Sequence, residues 1–140
     1  MAVVADSGAI YALYASDDRH HRAVRRAVDL EPGPIVLPVA ILAELDYMLR
    51  KYLGIDAELD FVEGVLSGGY TIEGLTIEDV RRCRDLIAKY RNLDLGLADA
   101  AVIATAERLG IHRILTVDER DFRAVRSSAG KAFVLIPADL

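Results

Sequence analysis

The 140-residue sequence contains one cysteine, no tryptophan, four prolines and three histidines. A lone cysteine excludes an internal disulfide, and with it the stapled frameworks of small secreted domains. Cys83 lies between Arg82 and Arg84 in a helical stretch and reads as a small packed residue rather than a nucleophile. No apolar run approaches the ~20 residues of a membrane span. The segment from Met1 to Ser16 is apolar, but Asp6 interrupts it and no basic leader precedes it, so it lacks the form of a secretory signal. The expected setting is a reducing cytoplasm. An excess of positive charge is also missing. The net charge is −5, which argues against a module that coats nucleic acid. It does not argue against acids that hold cations, because the bound cations restore the local charge.

Hydrophobic residues make up 53% of the chain and charged residues 28%. This is a globular composition with enough apolar mass for one ordinary domain, taken as residues 1–140. There are no repeats, low-complexity segments or linkers. The Glu31-Pro-Gly-Pro34 stretch reads as a turn.

The apolar patterning predicts strands over 2–5, 35–37, 70–72, 113–117 and 132–136, the third of them weak. Helices are expected over 7–15, 19–30, 38–53, 55–67, 76–91 and 96–109. Asp17 or Asp18 is placed to cap the second helix, Pro38 to open the third and Gly110 to stop the last. Strands alternate with helices, and most of the strands are continuous apolar runs. That combination implies an α/β fold with a central parallel sheet of four to five strands covered on both faces. Ligands in such folds bind beyond the carboxyl ends of the strands.

The acids fall there. Asp6 follows the first strand, and Asp118 follows the strand over 113–117. Asp99 shares a helical stripe with Val102, Ile103 and Ala106, where a carboxylate costs several kcal/mol unless compensated. Its place in the first turn supplies part of that compensation. Glu44 and Asp46 border opposite edges of the stripe Ile41, Leu42, Leu45, Met48, Leu49 and Tyr52, and periodicity alone does not choose between them. Each acid also has a purely local role open to it: Asp6 as a helix cap, Asp118 as a turn residue, Asp99 as a first-turn acid. Two carboxylates about 5 Å apart repel by roughly 3 kcal/mol at an effective dielectric near 20. Several converging at one sheet edge must therefore take up protons or bind cations. Oxygen ligands without imidazole or thiolate select a hard cation such as magnesium or manganese.

These residues resemble a known family. Val3-Val4-Ala5-Asp6-Ser7-Gly8-Ala9 is similar to the opening motif of PIN domains, and Pro38-Val39-Ala40-Ile41-Leu42-Ala43-Glu44-Leu45 to their second acidic motif. Leu95-Gly96-Leu97-Ala98-Asp99-Ala100 resembles the third, and Ile114-Leu115-Thr116-Val117-Asp118-Glu119-Arg120-Asp121-Phe122 the fourth. The four motifs occur in order across essentially the whole chain, whose length resembles the VapC-type toxins of bacterial toxin–antitoxin pairs. The resemblance implies a magnesium-dependent endoribonuclease in which manganese can substitute. It also implies a homodimer and a small VapB-like antitoxin as inhibitor. It assigns metal binding and catalysis to Asp6, Glu44, Asp99 and Asp118, with Ser7 and Thr116 as hydroxyl supports, and it favours Glu44 over Asp46. Many relatives carry asparagine where Asp118 stands, which leaves that position open as an auxiliary one. Asp121 is read as structural, and Asp94 as a residue behind the site.

Arg22 and Arg26 fall on one helical stripe with Arg19 and are candidate phosphate contacts for an RNA substrate. His20 and His21 read as polar residues at a helix start. The alternatives are a PIN nuclease that processes RNA without an antitoxin, and a receiver-type phosphoacceptor. The second expects paired acids after the first strand and a lysine after the last. Asp6 has no acidic neighbour, and Lys131 precedes the last strand.

Overall fold

The computed structural model describes residues 2–140. The chain runs through β1 (Val3–Ala5), α1 (Ser7–Tyr14), α2 (His21–Leu30), β2 (Ile35–Pro38), a 3-10 turn (Val39–Ile41), α3 (Leu42–Leu53) and α4 (Ile55–Leu66). It continues through β3 (Thr71–Glu73), α5 (Ile77–Lys89), α6 (Leu97–Leu109), β4 (Arg113–Leu115), α7 (Glu119–Ala124) and β5 (Val134–Ile136). The five strands form one sheet in the order β3-β2-β1-β4-β5, and every neighbouring pair is parallel. Helices must therefore carry each crossover. That is why β1 and β2 are apolar throughout and buried on both faces. The edge strand β3 differs, with Thr71 and Ile72 exposed.

From β1 the chain builds outward through β2 to β3. α5 and α6 then return it to β4, on the other side of β1. The strand order thus reverses between β1 and β4, and the crevice beyond their carboxyl ends is the switch point at which such sheets bind ligands. α1 packs on α2 and α3, α3 packs on α4, and α5 packs on α6. With right-handed crossovers, α1 to α4 cover one face of the sheet and α5 to α7 the other. α6 is the most enclosed helix, and every residue from Ala100 to Ala106 is buried. Its alanines let the backbone lie close to β1, β2 and β4.

Local chemistry sets the element ends. Thr76 and Asp79 form a reciprocal capping box at the start of α5. Asp79 also accepts two hydrogen bonds from Arg108 at the end of α6. Gly110 ends α6 at φ 69, a left-handed conformation that glycine adopts without a steric penalty. The carboxylate of Asp18 accepts from the backbone N–H of His20, so it closes the turn before α2 although the helix itself begins at His21.

Three expectations are corrected. Pro38 ends β2 in an extended conformation (φ −60, ψ 134), and the helix that follows begins with a 3-10 turn. β4 stops at Leu115, two residues early, where the N–H of Asp118 bonds back to the Thr116 hydroxyl and turns the chain. A short helix, α7, was not anticipated. Asp118 caps it and Phe122 buries it, with too few turns for a clear apolar period.

At the opposite end of the sheet, Nη1 of Arg113 at the start of β4 donates to both oxygens of Glu31, at 2.6 and 2.9 Å. Glu31 also accepts from the N–H of Gly33 in the turn before β2. Its side chain is only 3% exposed, so losing the guanidinium would strand a buried charge. The expected cost of Arg113→Met is about 3 kcal/mol in urea unfolding. A loss below about 0.5 kcal/mol would show that the pair does not hold these strand ends.

Candidate metal centre

Asp6 stands at the carboxyl end of the central strand. Its N–H donates to the carbonyl of Leu115 in β4 at 2.9 Å, which continues the sheet pairing by one bond. Its side chain then takes two donors. The N–H of Ser7, the first residue of α1, donates to Oδ1 at 2.8 Å. Thr116 Oγ1 donates to Oδ2 at 3.2 Å. Thr116 Oγ1 accepts in turn from the N–H of Asp118 at 3.0 Å. A single hydroxyl therefore couples the end of β1 to the start of the β4–α7 loop. Gly8 keeps this junction tight, since a Cβ there would lie 3.3 Å from Cγ2 of Val117.

Burial pushes the Asp6 carboxyl from its ordinary 3.8 up to about 7. Asp99 contributes next and Glu44 less, while the Ser7 and Thr116 donors oppose them. Asp99 enters from the first turn of α6. Its Oδ2 accepts from the N–H of Gly96 at 3.2 Å, the half of a capping box that a glycine cap allows. Burial raises the Asp99 carboxyl too, and Asp118, Glu44 and Asp121 add to the effect against the Gly96 bond. Four elements thus deliver acids to one place: β1, the start of α3, the start of α6 and the β4–α7 junction.

Glu44 sits in the first turn of α3 and is exposed, facing the site from its rim. Asp46 points elsewhere. It stands beside Glu58 and raises that carboxyl, with Arg50 opposing. Asp118 is half-buried, and its Oδ1 accepts from the N–H of Asp121 at 3.5 Å. Ser7 is buried, and its backbone N–H makes the contact to Asp6. Arg22 and Arg26 are exposed on α2 and line a shallow cleft with His21, Arg25, Asp29 and Leu30, apart from the acids. The α2 start does reach the sheet edge, because His20 and Ala23 share a second cleft with Thr116 and Val117. His21 is structural, with Nδ1 2.8 Å from the carbonyl of Ala12.

Asp121 is the acid that sequence reasoning set aside. It is buried, and burial followed by Asp118 and Asp94 raises its carboxyl, with Arg120 opposing. Its signal in the sequence was the spacing Asp118-x-x-Asp121, which puts both acids on one side of a helical turn.

The donor set suits a hard divalent cation. Its members are carboxylates, with no imidazole or thiolate among them, and their protonation is favoured by burial first and by neighbouring acids second. Among the described residues no three His, Cys, Asp or Glu side chains stand close enough together to hold an ion as they are.

The raised acids fix the sign of a pH effect. The folded protein keeps a proton on Asp6 that the unfolded chain has already lost, so its contribution favours the fold below about 3.8 and disappears as pH rises through about 7. Asp99 and Asp121 act in the same direction. Metal-free protein is expected to lose stability across this window, with Asp6 accounting for on the order of 4 kcal/mol. Asp6→Asn should flatten the dependence, and denaturant titrations with the same slope in both proteins would refute the account.

A PIN domain family model matches residues 3–127. The chain is 30% identical over 135 residues to Ribonuclease VapC26 of Mycobacterium tuberculosis, covering 96% of this chain and 100% of that protein. Two solved structures share the fold. The crystal structure of Mycobacterium tuberculosis VapC20, described as a Sarcin-Ricin loop cleaving toxin, superposes with a TM-score of 0.74 at 19% identity, covering 80% of this chain and 86% of that one. DNA-bound VapBC from Salmonella typhimurium superposes with a TM-score of 0.70 at 17% identity, covering 96% of each chain.

Proposed function

The chain belongs to the PIN-domain family, and from that premise we propose that it is a metal-dependent endoribonuclease, the toxin of a toxin–antitoxin pair. The observation that carries this reading is the buried Asp6 carboxylate at the β1–β4 switch point, raised to about 7 by burial and by the acids around it. A purely structural cap has no need of two further acids, Asp99 and Glu44, beside it. The kinship with a protein named as a ribonuclease supplies the substrate class.

We assign metal binding to Asp6, Glu44, Asp99 and Asp118, with Asp121 as a further acid of the site. Magnesium is the expected ion, and manganese is expected to replace it. When bound, such an ion activates water for attack on a phosphodiester and neutralises charge on the departing oxygen. The protein's own part is positioning. Ser7 N–H and Thr116 Oγ1 fix the two oxygens of Asp6. Thr116 also holds the Asp118 backbone, so one hydroxyl aligns two of the acids. Gly96 N–H steadies Asp99 at the start of a buried helix. Glu44 is exposed at the rim. No side-chain nucleophile is required.

A small antitoxin is the expected partner, which the toxin–antitoxin complexes sharing this fold support, and a homodimer is the assembly that the family resemblance implies. Arg22 and Arg26 are retained as outer phosphate contacts. Among the described residues, no helix is long and apolar enough to cross a membrane.

Purified protein is expected to cleave RNA with magnesium. Asp6→Asn and Asp99→Asn should each abolish cleavage, and Thr116→Val should reduce it by about 10- to 100-fold. Cleavage at the wild-type rate by either Asn variant would overturn the assignment. Manganese should also raise the melting temperature, with a stabilisation of about 2.7 kcal/mol at one hundred times its dissociation constant. An unchanged melting curve in millimolar manganese would count against any bound ion.

A further inference from the structure

The sequence has six tyrosines and no tryptophan. Three of the six are committed inward or tied to the backbone. The hydroxyls of Tyr14 and Tyr70 lie 2.8 Å apart against Phe61, and that of Tyr90 accepts from the N–H of Arg126. Of the other three, Tyr47 and Tyr52 lie on the outer face of α3, and Tyr11 of α1, partly buried against the core, borders them. Tyr47 is 59% exposed and Tyr52 61% exposed. The Tyr11 and Tyr52 rings meet edge to face at 6.2 Å. Lys51 Nζ donates to the Tyr47 hydroxyl at 3.0 Å. It also sits 5.3 Å from the Tyr47 ring centroid and 5.4 Å from that of Tyr52.

This ridge starts at the acids. At 100° per residue, Glu44, Tyr47, Met48, Lys51 and Tyr52 share one arc of α3, while Leu45 and Leu49 face the core. The rise along the helix places Tyr47 about 5 Å, and Lys51 and Tyr52 about 10–12 Å, beyond Glu44. That distance suits two or three stacked nucleotides at a rise of about 3.4 Å. Tyr11 follows Ser7 by four residues, so it stands on the same face of α1 one turn beyond Asp6. The acidic turn of Asp17 and Asp18, beside Tyr11, marks the far end.

We propose that Tyr47, Tyr52 and Lys51 form a stacking platform for unpaired RNA bases, which holds the two or three nucleotides next to the phosphodiester at the acidic site. Exposed rings take bases without regard to identity, and a cation among them pairs with the passing phosphate. A duplex hides its base faces and gains nothing from such a surface. The proposal rests on the ribonuclease reading for the position of the cut, but it concerns binding and is tested apart from cleavage.

The test measures binding of a labelled eight-nucleotide single-stranded RNA by fluorescence anisotropy, with calcium in place of magnesium. Tyr47→Ala with Tyr52→Ala should weaken binding at least tenfold, and Lys51→Ala should reduce its salt dependence. Tyr47→Phe with Tyr52→Phe should stay within twofold of wild type, which separates stacking from folding. A strand of equal length with abasic sites should bind the wild type as weakly as the intact strand binds the alanine variant. Equal affinity of wild type and alanine variant, equal affinity for intact and abasic strands, or no RNA binding by the wild type would each overturn the platform and leave this face to a protein partner. With magnesium, a wild type that cleaves RNA while the alanine variant keeps the same KM removes the platform and spares the nuclease. Base-dependent binding that requires the tyrosines, in a protein that cleaves nothing, supports the platform and removes the nuclease.

Discussion

The carboxylate of Asp6 is buried at the end of the central strand, where its two oxygens meet a helix-start N–H and the hydroxyl of Thr116. Those two donors are enough to fix its orientation but not to offset its charge. Burial and the neighbouring Asp99 push it up to about 7. Every other feature of the site follows from this imbalance. A carboxyl that close to neutrality at physiological pH has two stable conditions, a retained proton or a bound cation. The fold leaves the choice to its surroundings. An arginine could have settled it internally, as Arg108 does for Asp79 and Arg113 for Glu31. Among the described residues no such partner stands at Asp6.

The same molecule therefore handles buried acids in two ways. Away from the switch point, Glu31 and Asp79 are each met by a guanidinium and by backbone donors, which locks strand ends and helix ends together. At the switch point, Asp6, Asp99 and Asp121 receive backbone or hydroxyl donors at most, and they repel one another. The first arrangement stabilises the scaffold. The second leaves like charges together, held in place by the packing of α6 and by the tight Gly8–Val117 contact.

Local and collective roles turn out to coincide. Asp6 caps α1, Asp118 caps α7, and Asp99 bonds the N–H of Gly96 at the start of α6. The sequence offered each of these as an alternative to a functional role. A helix start at the carboxyl edge of a parallel sheet supplies both at once, because the N–H groups that orient a carboxylate also lie where the strands deliver their ligands. Glu44 and Tyr47 differ in being exposed on α3, Glu44 in its first turn and Tyr47 one turn on, held by Lys51.

Much of this was legible before folding. Alternating apolar runs of the right length gave a parallel α/β sheet, since strands buried on both faces have no polar side to show. Asp6, Asp99 and Asp118 stood out because each sits where a strand or a helix begins or ends. Other features were not legible. Glu44 and Asp46 border the same stripe, and only the packing of α3 against α1 and α4 turns one towards Asp6 and the other towards Glu58. Asp121 reads as structural from the sequence because it precedes Phe122, and α7, a helix of six residues, is too short to show a period. Its nearness to Asp94 and Asp99 depends on contacts across the sheet edge. By itself, then, the sequence determined which segments are strands and helices and which acids lie at their ends, because those depend on neighbours within a few residues. Only the tertiary structure decided which acids meet, how far each is buried and which tyrosines remain outside, because charge repulsion and desolvation are set by groups that the chain brings together from far apart.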